Sequence, residues 1–203
     1  MRQGKSRRRL RRYAMQLTDK SALRASLRHR LAKRDPSFAT AASLTLCDRI
    51  RQLPTYENCR WLLAFSPLSD EPDIIPLLQT ALADGHRVAL PVCDPMTHTL
   101  RFYEITSLTE RERGHYGIAE PPTSPDRLWQ PTADALCLVP ALGYDRLGHR
   151  LGRGGGYYDR FLPYFTGISC GVCLSDQLCD RIPVTPTDFS LSLVVTEGGI
   201  CCA

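Results

Sequence analysis

Short apolar runs of β-strand length alternate along this chain with amphipathic segments of helix length. A strand, a helix and a further strand in succession are the repeating unit of a parallel sheet. With 203 residues, 43% of them hydrophobic, the chain suits one domain with its own core. We therefore predict an α/β fold, a single layered domain over residues 13–203 with a mostly parallel sheet flanked by helices. The predicted strands cover residues 60–65, 86–92, 100–105, 135–139, 168–174 and 191–196.

Residues that favour helix ends mark the helices. Asp19 is a suitable N-cap for a helix that reaches about Lys33, and Leu23, Leu27 and Leu31 recur every four residues as its buried stripe. Three further helices are predicted, over residues 35–53 after an Asp-Pro cap, 73–83 before a glycine, and 157–164. Residues 106–132 hold four prolines and predict a long loop, a feature that often carries function.

The positive charge of the chain is concentrated at its start. Seven of the 26 Lys and Arg residues lie within residues 1–12, which hold no Asp or Glu; the remainder has 19 basic and 21 acidic residues. A nucleic-acid-binding domain would carry excess charge on its folded part as well. We interpret residues 1–12 as a disordered tail. Attachment to nucleic acid or an acidic surface, and an organelle presequence, are the alternatives.

The apolar runs and the cysteines argue against a membrane protein, a secreted protein and a cysteine metal site. No run approaches the roughly 18–20 residues that span a membrane, and no apolar signal segment follows the basic tail. We expect a cytoplasmic monomer that binds neither membrane nor nucleic acid. The nine cysteines are interpreted as free thiols. Cys170 and Cys173 form a C-x-x-C pair, but a strand would point them to opposite faces, so no metal site is expected there. Cys201 and Cys202 are expected to lie at a frayed end.

The segment from Gly143 to Asp159 is the most informative part of the sequence for function. It follows a predicted buried strand and precedes a helix, a position at which α/β proteins bind ligands. Four of its residues between 152 and 156 are glycines, which allow backbone N–H groups to converge on an anion. Arg150 and Arg153 add guanidinium groups suited to phosphate. Neither the Walker A spacing nor G-x-G-x-x-G is present. A plain flexible turn is the alternative.

The other candidate residues indicate a function less strongly when each residue is taken alone. Asp159 beside a phosphate cradle is a natural Mg²⁺ ligand, although it could merely stabilise the start of its own helix. Lys20 and Arg24 share one helix face and could reach phosphates, or form an ordinary solvated surface. Glu71 follows a buried strand and could accept a hydrogen bond from a ring N–H. No Ser-His-Asp or Cys-His set can be recognised from spacing.

The run Gly-His-Arg-Leu-Gly-Arg-Gly-Gly-Gly-Tyr-Tyr-Asp-Arg at residues 148–160 resembles the signature of the 5-formyltetrahydrofolate cyclo-ligase family. The resemblance covers residues 19–197. It includes Lys20-Ser-Ala-Leu-Arg24 and the segment from Phe65 to Glu71. It also includes residues 85–91, with His86 where the family has Lys, residues 116–121, and the C-terminal positions 177, 183, 188, 196 and 197. One departure is Tyr144, where the family commonly has Phe.

The resemblance implies site residues position by position. ATP would be held by the two segments Lys20, Ser21, Ala22, Leu23, Arg24 and Arg150, Leu151, Gly152, Arg153, Gly154, Gly155, Gly156, Tyr157, Tyr158. The folate would contact Ser66, Glu71, Arg153, Gly154, Gly155, Gly156 and Tyr157. Asp159 and Asp188 would serve Mg²⁺, and Arg153 would stabilise the transferring phosphoryl group as the catalytic residue.

The implied reaction is the ATP- and Mg²⁺-dependent conversion of 5-formyltetrahydrofolate, a small-molecule substrate that can be polyglutamylated, to 5,10-methenyltetrahydrofolate, ADP and phosphate. In it the protein positions the reactants and stabilises charge, and the nucleophile belongs to the substrate. Because one fold can host many functions, an enzyme for a sugar phosphate or a coenzyme A ester is the alternative hypothesis.

Overall fold

The computed structural model describes residues 19–114 and 117–202. The tail of residues 1–12 therefore lies outside the described residues. Two helices, α1 (Lys20–Leu31) and α2 (Pro36–Arg51), and the single helical turn α3 (Pro54–Glu57) precede the first strand. The helix α4 (Ile75–Ala83) follows that strand. The N-caps of α1 and α2 are Asp19 and Asp35, whose carboxylates accept hydrogen bonds from the second backbone N–H of each helix, as the sequence predicts.

A seven-stranded sheet forms the centre of the protein. In spatial order its strands are β11 (Gly199–Cys202), β10 (Leu193–Thr196), β9 (Ile168–Val172), β6 (Ala135–Val139), β1 (Trp61–Leu63), β2 (Arg87–Asp94) and β3 (Thr99–Ile105). The five inner strands pair in parallel, and the two edge strands, β11 and β3, are antiparallel to their neighbours. This mostly parallel sheet flanked by helices confirms the predicted fold class.

Short elements complete the chain. The antiparallel pair β4 (Glu112–Arg113) and β5 (Ala119–Glu120) lies within the predicted long loop, and the pair β7 (Gly143–Tyr144) and β8 (Arg150–Leu151) precedes α5 (Tyr157–Phe161). Single 3-10 turns occupy Leu108–Glu110, Pro125–Arg127, Leu162–Tyr164 and Ser175–Gln177.

Apolar side chains pack on both faces of the sheet. One core cluster includes Leu46, Ile50, Leu77 and Leu78 from α2 and α4. The cluster on the other face includes Phe102 and Trp129, with Phe161 of α5 packed against them. Within the described residues, no helix is long and apolar enough to cross a membrane.

The C-terminal cysteines correct one expectation. Residues 201 and 202 belong to strand β11, which pairs with β10, so the predicted frayed end was wrong. The short C-terminal run forms a strand because it pairs with β10. A strand is stabilised by its neighbour, and this pairing could not be predicted from the run alone. Cys170 and Cys173 pack in different core clusters, which confirms that they point to opposite faces.

Candidate active site

A cavity of about 390 Å³ opens at the carboxyl ends of β1, β2 and β6. In parallel sheets this edge is the usual place for a ligand, because the loops that follow the strands converge there. The walls are mainly apolar, with charged groups at a few points. The lining residues are Phe65, Ser66, Leu68, Glu71, Pro91, Cys93, Leu100, Ile118, Glu120, Pro140, Ala141, Arg150, Gly152, Arg153, Gly155, Gly156, Tyr157, Tyr158 and Asp159.

Glu71 is the buried carboxylate of this cavity. It lies in the loop after β1, and only 6% of its side chain is exposed. Its Oε2 accepts a hydrogen bond from the Leu68 N–H at 3.0 Å, and its Oε1 accepts from Nη2 of Arg153 at 3.1 Å. Burial raises the pKa of Glu71 above 4.5, and these hydrogen bonds oppose the shift only in part. The side chain is a strong acceptor with little water around it.

Arg153 joins the glycine loop to the loop after β1. Its Nη2 lies 2.5 Å from Oδ1 of Asp70, and its Nε lies 3.3 Å from Oε1 of Glu71. Burial alone would lower the pKa of Arg153, but the two carboxylates outweigh it and raise that pKa. Within the described residues, Nη1 has no hydrogen-bond acceptor, so the guanidinium is held in place with one nitrogen still available.

The glycine loop is shaped by left-handed backbone. Gly154 has φ +112° and Gly156 has φ +66°, values that L side chains rarely adopt. Gly156 is the N-cap of α5 and its side-chain position would lie 3.0 Å from Nη1 of Arg160. The glycines at these two positions therefore allow a turn that other residues would strain.

Two ion pairs stand beside this loop. Arg150 Nη2 lies 2.5 Å from Oδ1 of Asp159, and Lys20 Nζ lies 2.5 Å from Oδ2 of Asp188. The backbone of Phe189 connects them, since its carbonyl accepts from Arg150 at 2.6 Å and its N–H lies 3.5 Å from Asp159. The two carboxylates predicted to serve Mg²⁺ thus lie in one region, each with a cationic partner.

Hydrogen bonds keep Asp188 ionised. Burial alone would raise its pKa, but donation from Lys20 and from the backbone and hydroxyl of Thr185 lowers the pKa below 3.8. Arg24, one turn after Lys20 on α1, donates from Nε to the carbonyl of Gly152 at 2.9 Å. The helix α1 is therefore anchored to the glycine loop and to the segment around Asp188 by its basic face.

Of the remaining residues predicted to contact a ligand, some line the cavity and others lie outside it. Ser66 is 7% exposed, lines the cavity and donates its hydroxyl to the Ala119 carbonyl at 2.5 Å. Leu23 and Leu151 pack in the small core cluster under α1. Ser21 and Ala22 are exposed on α1, and Gly154, unlike the other three glycines, does not line the cavity. For these residues, contact with a ligand stays a prediction.

Several lining residues were missed by the sequence reasoning. Pro91, Ile118 and Glu120 line the cavity, and they lie in two of the stretches that carry the family resemblance, which was the available signal. Asp70, the acidic partner of Arg153, and Cys93 gave no signal of their own. The Tyr158 hydroxyl is buried in the cavity wall, with no hydrogen-bond partner among the described residues.

Metal binding at this site would depend on ligands beyond the protein. No group of three His, Cys, Asp or Glu side chains within the described ranges is arranged to hold a metal ion. Mg²⁺ is commonly bound by one or two carboxylates together with substrate phosphates and water. Asp159 and Asp188 are two carboxylates of this region, and their role as metal ligands stays a prediction.

Comparisons with known proteins show to which family the chain belongs. A sequence model of the 5-formyltetrahydrofolate cyclo-ligase family matches residues 16–197. The 5-formyltetrahydrofolate cyclo-ligase of Mycolicibacterium smegmatis is 37% identical over 150 residues, covering 68% of this chain and 73% of that protein. The Escherichia coli K12 protein of the same name is 28% identical over 156 residues, covering 75% of this chain and 86% of its own.

A solved structure has the same fold. The 5,10-methenyltetrahydrofolate synthetase of Aquifex aeolicus superposes with a TM-score of 0.78 at 28% identity, covering 89% of this chain and 91% of that one. The family model spans most of the chain and includes both the glycine loop and the loop of Glu71. The chain is an enzyme that belongs to the 5-formyltetrahydrofolate cyclo-ligase family.

Proposed function

We propose that this enzyme converts 5-formyltetrahydrofolate and ATP to 5,10-methenyltetrahydrofolate, ADP and phosphate, with Mg²⁺. The observation that carries the proposal is the junction of two different binding surfaces. An apolar cavity with a buried carboxylate meets a glycine loop flanked by basic side chains, and Arg153 belongs to both. A two-substrate reaction needs such a junction, because group transfer requires the reacting atoms to be held together.

The glycine loop and α1 are the proposed nucleotide side. Lys20, Arg24 and Arg150 supply positive charge there, and the backbone N–H groups of the loop supply donors for phosphate oxygens. Lys20 and Arg150 are paired with carboxylates in this structure. Phosphates with Mg²⁺ would exchange those partners, so that the cations contact phosphate while the carboxylates contact the metal.

The cavity is the proposed folate side. Its volume of about 390 Å³ falls in the range of small-molecule sites, and its apolar walls suit a flat ring system. Glu71 would accept hydrogen bonds from the ring N–H groups of the pterin. The Tyr158 hydroxyl, which has no partner among the described residues, would gain one from a bound substrate. Buried polar groups of this kind favour a substrate that supplies the missing partners.

The chemistry follows from the weakness of the formyl group as an electrophile. The γ-phosphoryl group of ATP moves to the formyl oxygen, and ADP leaves. The substrate N10 then attacks the activated carbon and loses its proton, and phosphate departs with the former formyl oxygen. Arg153 contributes positive charge fixed by Asp70 and Glu71, and its Nη1 faces no other described acceptor. Charge fixed in advance stabilises a phosphoryl-transfer transition state without reorganisation.

Asp159 and Asp188 fit Mg²⁺ because both offer carboxylate oxygens next to the proposed phosphate site. The ion would supply neutralisation of charge on the phosphate oxygens. The ion pairs with Arg150 and Lys20 keep both carboxylates oriented before any ligand enters.

The test is formation of the methenyl product, which absorbs light where the formyl substrate does not. Purified enzyme is mixed with 5-formyltetrahydrofolate, MgATP, and controls lacking ATP or Mg²⁺. We expect product only in the complete mixture, with one ADP released for each product molecule. Product formed equally without ATP, or no product from folded enzyme, would contradict the proposal.

A further inference from the structure

Arg160 is an exposed arginine that contacts two residues of the cavity wall, Gly155 and Tyr157. Its Nη2 donates to the carbonyl of Gly155 at 2.5 Å, and its Nε donates to the carbonyl of His98 at 2.8 Å. The guanidinium lies 5.9 Å from the centroid of the Tyr157 ring, which lines the cavity together with Gly155. Two backbone carbonyls on different segments therefore fix this side chain beside the opening.

Among the described residues, no carboxylate forms an ion pair with Arg160. Lys20, Arg150 and Arg153 each form an ion pair with Asp or Glu, whereas Arg24 and Arg160 are bonded only to carbonyls within the part of the chain described. A guanidinium has five N–H donors, and Arg160 uses two of them. Considering the described residues alone, three donors and the positive charge of Arg160 remain for an anion.

These two arginines lie next to different glycines of the loop. Arg24 comes from α1, and its Cζ lies 4.0 Å from the side-chain position of Gly154. Arg160 is joined to the turn between β2 and β3 through His98, and its Nη1 lies 3.0 Å from the side-chain position of Gly156. Arg24 belongs to α1, which carries proposed nucleotide contacts, whereas Arg160 is bonded to the turn between β2 and β3.

The turn between β2 and β3 borders the cavity. Cys93 of β2 and Leu100 of β3 are paired across these strands, one on each side of the turn, and both line the cavity wall. His98 holds a left-handed backbone with φ +53°, and its ring lies 5.8 Å from that of Tyr157. The turn, Tyr157 and Arg160 therefore lie next to one another, and Tyr157 places this group beside the cavity.

We propose that Arg160 binds a carboxylate of the glutamate portion of the folate substrate. This inference rests on the proposed function, which supplies a substrate with a flat ring at one end and glutamate carboxylates at the other. With the ring against Glu71, the anionic end leaves through the mouth, where Arg160 offers two parallel N–H donors to a carboxylate.

The experiment compares two substrates across matched variants. The substrates are 5-formyltetrahydrofolate and its diamide, in which both glutamate carboxylates are replaced by uncharged carboxamides. The variants are Arg160→Gln, Arg160→Lys and, as control, Arg101→Gln, which removes an exposed arginine from the neighbouring strand β3. For each, KM for both folates and for ATP is measured, and the dissociation constants of the folates are measured by calorimetry without ATP.

We expect Arg160→Gln to weaken binding of 5-formyltetrahydrofolate about fivefold, as for an exposed charge pair of ~1 kcal/mol. Binding of the diamide and KM for ATP should match those of the Arg101→Gln control. Arg160→Lys should restore part of the folate affinity.

Equal losses for both folates would overturn the proposal, since they would mean that Arg160 only supports the loop. A rise in KM for ATP alone would also overturn it and assign the arginine to a phosphate. Failure of wild-type turnover would count against the proposed reaction, while the calorimetric comparison would still decide the role of Arg160.

Discussion

Replacing Gly154 by alanine tests the glycine loop through its backbone alone. Gly154 has φ +112°, and a methyl group there would meet only Cζ of Arg24, at 4.0 Å, which is ordinary contact. Gly85 is the matched control, because it has φ +88°, has nothing within 4 Å of its side-chain position, and follows α4 far along the chain from the glycine loop. Neither substitution introduces a clash, so both act through backbone strain.

The size of the effect follows from that strain. An L-residue with left-handed backbone costs roughly 1–2 kcal/mol. Both variants should therefore lose a similar amount of stability, a fall in Tm of about 2–8 °C for a protein of this size. If the loop relaxes to relieve the strain at residue 154, its N–H groups lose their alignment toward phosphate. The same free energy then appears in binding, as roughly a 5- to 30-fold increase in the Kd for ATP.

The assay is calorimetric titration with ATP, together with thermal unfolding, for wild type, Gly154→Ala and Gly85→Ala. Only Gly154→Ala should bind ATP more weakly, while both variants unfold at lower temperature than wild type. Equal ATP affinity in the two variants would refute the reasoning, because it would show that the backbone at Gly154 does not hold phosphate.

Three further predictions concern the charged residues of the site. Glu71→Gln removes the buried carboxyl whose pKa is raised above 4.5, so that in wild type the folded state holds this proton to higher pH than the unfolded state and loses stability as pH rises above 4.5. Thermal unfolding should therefore show the variant gaining stability relative to wild type from about pH 4.5 to 7. Parallel curves of stability against pH for the two proteins would contradict the raised pKa. Arg153→Ala should lower kcat more than about tenfold, as expected for loss of a transition-state charge contact of ~1.4 kcal/mol or more, and an unchanged kcat would exclude that role. Asp188→Asn should move the Mg²⁺ titration of activity to higher concentration, whereas Asp176→Asn, which also breaks an ion pair, should leave it in place; equal titrations would exclude Asp188 as a metal ligand.

Most of the fold could be predicted because its signals are local. Asp19 and Asp35 cap their helices as expected, and the strand of residues 135–139 has the predicted bounds. The missed elements depend on distant partners. The pair β7 and β8 is held by the buried Asp145, which accepts hydrogen bonds from the N–H groups of Leu147, His149 and Ile182. A two-residue strand has no periodicity that a sequence could reveal.

The site was predictable where residues are close in sequence and unpredictable where the fold brings them together. Arg150 and three of the four glycines belong to one short segment, so their common place at the cavity could be predicted. The contact between Arg153 and Asp70 spans 83 positions, and the one between Lys20 and Asp188 spans 168. Charge pairs of this kind depend on the sheet order, which single-residue patterns do not encode.

The most direct test of the proposed reaction follows the formyl oxygen. If the γ-phosphoryl group moves to that oxygen before N10 attacks, the oxygen must leave as part of the phosphate. 5-Formyltetrahydrofolate labelled with ¹⁸O in the formyl group is converted by the enzyme with unlabelled MgATP, and the released phosphate is analysed by mass spectrometry. The account predicts one ¹⁸O atom in each phosphate molecule. Unlabelled phosphate, with the ¹⁸O found in water, would contradict phosphoryl activation at this site.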